Sequence, residues 1–207
     1  MGDVAIGPRA LFWDVGGVLL SNAWDRGIRR RAVEHFQLDW EEFEDRHELV
    51  APAFEKGQLT LDEYLDRTVF YRGRSFTKEA FRGWICAQSI PQPESLALVE
   101  RLARTKRYLM AVLNNESAEL NEYRIRRFHL RNYFTVFLSS CYLGVRKPDA
   151  AMYRLAMQLT QCEPQECIFV DDRPLNVECA RRAGMHAIRF ENAGRLEPAL
   201  RELGVDW

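Results

Sequence analysis

LFWDVGGVLL, residues 11–20, places one carboxylate, Asp14, at the end of an apolar run, then two glycines, then a second apolar run. A short apolar stretch without strict alternation predicts a strand buried on both faces, as in a parallel sheet covered by helices. A charged side chain at its end is either a capped structural acid or a reacting group at the mouth of the sheet. Gly16 and Gly17 permit tight backbone turns close to an anion. The remaining sequence has to choose between these readings.

With residues 10–15, four further segments read as strands of the same kind: 108–114 (YLMAVLN), 135–140 (TVFLSS), 167–172 (CIFVDD) and 186–190 (HAIRF). Helical patterns separate the later ones. Residues 94–105 place Leu96, Leu98, Val99 and Leu102 on one face. Residues 149–161 do the same with Met152, Leu155, Ala156 and Leu159, and 174–184 stop at Gly184. Strands alternating with helices predict an α/β fold with a doubly wound, Rossmann-like parallel sheet. Residues 22–90 break the alternation with helical spacing alone: Ile28, Ala32, Val33, Phe36; Leu61, Tyr64, Leu65, Val69; Phe81, Trp84, Ile85. Thr60 and Glu63 are spaced as a capping box. The expected organisation is a core of 1–21 and 91–207 with a helical insertion at 22–90. Phe54, Tyr71, Trp84 and Trp24 either shape substrate choice or pack the bundle; helical spacing assigns most of them to its core, and none is assigned to the site.

The 207 residues are enough to bury a sizeable core. A net charge of −1 from 29 basic and 30 acidic residues argues against nucleic acid or membrane as the main partner. No apolar stretch approaches a membrane span, and the N-terminus lacks the apolar region of a signal peptide. The cysteines (Cys86, Cys141, Cys162, Cys167, Cys179) are odd in number and form no CxxC pair, which suits reduced thiols and a cytoplasmic location. The histidines (His35, His47, His129, His186) show no metal-ligand spacing.

Ligands of open parallel sheets bind outside the carboxyl ends of the strands. The polar residues fall there: Asp14 after the first strand, Asn114 and Asn115 after the second, Lys147 after the third, Asp171 and Asp172 after the fourth. Three carboxylates against one ammonium leave an excess of about two negative charges, unfavourable in a partly buried cleft. A hard divalent cation, Mg²⁺ foremost, balances it. The structural alternative is that Asp171 caps the helix beginning at Pro174 and Asp172 faces water.

LFWDVGGVLL, VLNNES, GVRKPDAAMY and CIFVDDRPLNVECARRAGM, in this order, resemble the four motifs of the haloacid dehalogenase-like hydrolases, and the insertion resembles that family's type 1 helical cap. The resemblance implies Asp14 as nucleophile and metal ligand, Asp172 as metal ligand with Asp171 sharing that role, and Gly16 as a ligand through its carbonyl. It implies that Lys147 neutralises the nucleophile and the phosphoryl oxygens. Asn114 would bind the phosphoryl group by its amide, and Asn115 would touch substrate or cap the following helix. Asn176 would orient Asp172 or be an ordinary first-turn residue. Arg146 and Arg173 flank the site.

Two positions depart from the family pattern. Gly16 stands where its phosphatases carry a second aspartate as general acid/base, and Asn114 where they carry Ser or Thr. Loss of acid–base help costs about 10²–10⁴-fold and falls least on substrates with good leaving groups. The expected activity is Mg²⁺-dependent hydrolysis of a small phosphorylated metabolite, sugar phosphates included, by a monomer or homodimer. One alternative is a metal-independent 2-haloacid dehalogenase, for which Trp24 and Arg26, read first as residues of the helical insertion, would have to hold the halide and carboxylate. The other is a phospho-ligand-binding protein that has lost turnover.

Overall fold

The computed structural model describes residues 7–207. Five strands, β1 (Ala10–Trp13), β2 (Leu109–Asn114), β3 (Val136–Ser139), β4 (Cys167–Asp171) and β5 (His186–Arg189), form one parallel sheet in the order β3-β2-β1-β4-β5. The chain moves outward from β1 to β3, then returns to the other side of β1 for β4 and β5. The reversal opens a crevice beyond the carboxyl ends of the central strands.

Period-two projection assigns the side chains of each strand to opposite layers. Leu11, Trp13, Met110, Val112, Ile168 and Val170 pack with Leu98, Val99 and Leu102 of α5 (Pro93–Thr105) and with Leu196 and Leu200 of α10 (Ala193–Glu202). Phe12, Ala111, Leu113 and Phe169 face the other way, onto Met152, Tyr153 and Ala156 of α8 (Ala150–Thr160) and Val177 and Ala180 of α9 (Pro174–Arg182). A sheet covered on both sides needs no polar alternation, which is why its strands are uniformly apolar. Leu159 was expected on the buried face of α8 and is instead 57% exposed. It lies a turn beyond the contact with the sheet.

Between β1 and α5 come α1 (Arg26–His35), α2 (Trp40–Glu55), α3 (Leu61–Thr68) and α4 (Lys78–Ala87). Each begins on a side chain that accepts a backbone N–H of the first turn: Asp25 from Ile28, Asp39 from Glu42, Thr60 from Glu63 and Thr77 from Ala80. Thr60 and Glu63 form the full reciprocal capping box. These helices share a hydrophobic cluster of Phe43, Phe54, Tyr64, Leu65, Phe81 and Ile85, with Trp24 and Trp84 against it. Of the four aromatics singled out in this segment, Tyr71 lies outside that cluster, beneath the Arg46 guanidinium, which is 3.5 Å from the tyrosine ring centre.

The two chain crossings into this layer are tied together. Ser21 N–H donates to Ile90 O (2.8 Å), Ser21 Oγ donates to Gln88 O (2.6 Å) and accepts from Ile90 N–H (2.9 Å). A further helix, α6 (Ala118–Arg127), follows β2, and the short α7 (Ser140–Leu143) follows β3. Glu55 O, at the end of α2, accepts from Ser140 Oγ at 2.6 Å, which brings the helical layer onto the rim of the sheet.

Candidate active site

Asp14 follows directly on β1, its N–H held by Val170 O at 2.9 Å, so the backbone of β4 sets its position. Its Oδ1 accepts the N–H of Val15 (2.8 Å) and lies 3.1 Å from Lys147 Nζ. Lys147 Nζ also donates to Asp171 Oδ2 at 2.6 Å, and the whole lysine is buried. Asn115 sets the course of the Lys147 backbone: its Nδ2 donates to Lys147 O and its Oδ1 accepts Lys147 N–H, both at 2.8 Å. It does not cap a helix, since α6 begins after Ser117.

The paired aspartates have different surroundings. Asp171 is fully buried, and both its oxygens are engaged. Oδ1 accepts from Arg173 N–H (2.8 Å), Oδ2 from Lys147, and both lie 3.0 Å from Asn176 Nδ2. Asn176 therefore orients Asp171, not Asp172 as expected, because the first turn of α9 folds back over the end of β4. Asp172 Oδ1, by contrast, is a buried oxygen with no hydrogen-bond partner among the described residues. Asp14, Asp171 and Asp172 offer oxygens all within 4.8 Å of one another. Burial pushes the Asp14 carboxyl above its ordinary range, Lys147 pulls against that, and Asp171 and Asp172 add to the rise. Burial and Asp171 raise Asp172 likewise. Burial opposes the charge on Lys147, but Asp14 and Asp171 outweigh it and hold the ammonium above its usual range. An orphaned carboxylate oxygen amid three crowded acids is the donor set a hard divalent cation fits.

The glycine pair has a steric cause. A Cβ on Gly17, whose φ is +78°, would meet Asp172 Oδ2 at 2.2 Å, and one on Gly16 would meet Asn22 Oδ1 at 2.6 Å. Asn22 lies across both glycines, with its Nδ2 3.4 Å from Asp172 Oδ2.

Asn114 departs from the expected phosphoryl contact. It is buried, its Nδ2 donates to Asn121 Oδ1 (3.1 Å), and Asn121 in turn donates to Ser139 Oγ (3.0 Å). It is absent from the cleft wall, on which the next residue, Asn115, stands.

The cleft holds about 610 Å³ between the sheet rim and the helical layer. Asp14, Gly16, Asn115, Lys147, Arg146, Arg173 and Asn176, all singled out in the sequence, line it. Trp24 and Arg26 do too. Sequence reasoning missed Asn22, Arg29, Glu116 and Arg124. The only signal available for them was that they follow soon after the first or second strand. Arg124, buried on α6, pairs with Glu116 (3.0 Å) and donates to Ser21 O (3.0 Å) and Ser89 Oγ (3.2 Å). Arg146 pairs with Glu55, whereas Arg173 is exposed and has no acidic partner among the described residues. No helix among the described residues is long and apolar enough to cross a membrane.

The chain is 33% identical over 164 residues to flavin mononucleotide hydrolase 1 of Arabidopsis thaliana, covering 79% of this chain and 65% of that protein. It is 30% identical over 106 residues to a phosphoserine phosphatase of Thermus thermophilus, covering 51% and 42%. It thus spans less than two thirds of the length of these curated relatives. A haloacid dehalogenase-family enzyme from Bacteroides thetaiotaomicron, solved with magnesium and inorganic phosphate, has the same fold, with a TM-score of 0.74 at 21% identity over 97% of this chain and 98% of that one. The family profile of haloacid dehalogenase-like hydrolases matches residues 8–184, and the chain belongs to that family.

Proposed function

We propose that the chain is a Mg²⁺-dependent phosphomonoester hydrolase acting on a small phosphorylated metabolite through an aspartyl-phosphate on Asp14. The observation that carries this reading is the pairing of Asp14 with Lys147 at 3.1 Å beside a buried Asp172 oxygen that lacks a partner. Asp14 and Asp172, with the Gly16 carbonyl, would hold the cation. Asp171, its oxygens already engaged, would serve to orient Lys147 and not as a ligand. When bound, Mg²⁺ supplies positive charge to the transferring phosphoryl oxygens.

The chain's own residues do the rest. The Asp14 carboxylate attacks phosphorus, and the electron pair of the breaking P–O bond goes to the leaving group. Lys147, fixed by Asn115 and Asp171, offsets the charge spread over the phosphoryl oxygens without having to reorganise. Water then attacks phosphorus, the Asp14 carboxylate departs, and the water's two hydrogens leave on the released phosphate or pass to solvent. The exposed Arg173 suits a further anionic group on the substrate. The cleft volume fits a small molecule, sugar phosphates included. The relatives named as a flavin mononucleotide hydrolase and a phosphoserine phosphatase support the phosphate-ester class. Residues 22–90 would act as a type 1 cap on a core of 1–21 and 91–207, a division supported by a hydrophobic cluster drawn from 22–90 apart from Leu120 and Tyr123 of α6.

The test is phosphate release from an aryl phosphate with and without Mg²⁺, for the natural chain and Asp14→Asn. Release that needs Mg²⁺ and disappears in the variant is expected. Release indifferent to either change overturns the proposal.

A further inference from the structure

Gly16 removes a side chain from the cleft, yet the space is filled. The Cβ it lacks would point at Asn22 Oδ1, 2.6 Å away, with Arg124 Nη1 at 3.6 Å behind it. Both residues line the cleft beside Asp14. Asn22 is held by one long hydrogen bond and Arg124 by three partners. Asn22 Nδ2 is directed at Asp172 Oδ2, which turns Oδ1 toward Gly16. Arg124 is anchored to Glu116, Ser21 O and Ser89 Oγ, and its side chain is 3% exposed. The position is therefore held by an amide acceptor backed by a guanidinium. An amide does not titrate near neutral pH and so is no general acid or base, and a guanidinium in a protein stays charged.

We propose that Asn22 forms the leaving-group side of this site: its Oδ1 orients water by accepting a hydrogen, while Arg124, paired with Glu116, holds that side of the cleft in place. The inference rests on phosphoryl transfer to Asp14 as proposed above. In the first step the bond from Asp14 to phosphorus forms, the bond to the leaving oxygen breaks, and that oxygen departs as an anion without receiving a proton. In the second step water adds to phosphorus, Asp14 is released as carboxylate, and both hydrogens of the water remain on phosphate or pass to solvent. The substrate class that follows is phosphate esters and anhydrides with weakly basic leaving groups: aryl, acyl or anomeric phosphates, ahead of simple alkyl esters.

Two measurements test this. The first reads occupancy by melting temperature, without turnover. Gly16→Ala is expected to melt several degrees lower, because its methyl group meets Asn22 Oδ1, and Gly16→Ala/Asn22→Ala to regain most of that loss. Simple addition of the two single effects, with no recovery, overturns the placement of Asn22. The second compares kcat/KM for p-nitrophenyl phosphate, phenyl phosphate and flavin mononucleotide, a primary alkyl phosphate, in the presence of Mg²⁺. A fall of about 10²–10⁴-fold from the first to the last is expected, the range that proton donation would otherwise recover. Comparable rates on all three, still abolished by Asp14→Asn, overturn this inference and leave the phosphatase reading intact. Absence of Asp14-dependent release from all three overturns both.

Discussion

Acidification should loosen the helical layer through one buried histidine. Trp24 Nε1, which can only donate, gives its hydrogen to Tyr64 Oη at 2.9 Å, and the Tyr64 hydroxyl lies 2.9 Å from His47 Nδ1. Among the described contacts His47 Nδ1 is the one acceptor for the tyrosine proton, so the arrangement that satisfies both groups has Tyr64 donating to an unprotonated Nδ1. Burial, with the charge of Arg29 adding to it against Glu44, lowers the His47 pKa from 6.5 to about 4. Between those values the unfolded chain binds a proton that the folded chain does not. The stabilisation is therefore complete above about pH 6.5 and is lost as pH falls toward 4. At about 1.4 kcal/mol per pH unit, the gap amounts to roughly 3 kcal/mol near pH 4. For a chain of this size that corresponds to a fall of roughly 6–12 °C in melting temperature. The assay is thermal unfolding from about pH 7 to about pH 4 for the natural chain and His47→Gln, whose amide oxygen can still accept from Tyr64. The natural chain should lose the extra stability, and the variant should show a shallower decline. Parallel curves would refute the argument. Because Trp24 stands on the cleft wall, the same protonation should disturb ligand binding before global unfolding.

Lys147→Met removes the cation shared by Asp14 and Asp171 and leaves buried acids unneutralised. A loss of about 3–5 kcal/mol in urea unfolding is expected, partly recovered by Mg²⁺, and an unchanged midpoint would contradict the pairing. Gly57→Ala puts a methyl group 2.1 Å from the Cys141 carbonyl oxygen at a backbone φ of +70°. It should cost about 1–3 kcal/mol in the same measurement, and a neutral substitution would show that α2 and α7 are not in close contact.

The strands, most of the helices and the capping box at Thr60 are legible along the chain, because each rests on neighbours within a few residues. Apolar runs without alternation describe a sheet covered on both faces, and polar residues at their ends mark its active rim. That much brought Asp14, Lys147 and the aspartate pair into one site before any coordinates. Leu159 shows the limit of periodicity: the helical pattern continues a turn past the point where α8 leaves the sheet.

Roles within the site were not legible. Asn114 and Asn115 are adjacent and chemically identical, yet one joins a buried chain to Asn121 and Ser139 while the other clamps the backbone of Lys147. Asp171 and Asp172 divide in the same way, one saturated and one with a bare oxygen. Asn22, which gives the glycine pair part of its steric reason, has no motif at all. The amino-acid order by itself determined where carboxylates and the lysine leave the sheet, since periodicity and capping are local. Only the tertiary structure decided which of their atoms remain free, because hydrogen-bond partners such as Asn22 and Asp172 lie 150 residues apart in the chain and meet only when the sheet closes.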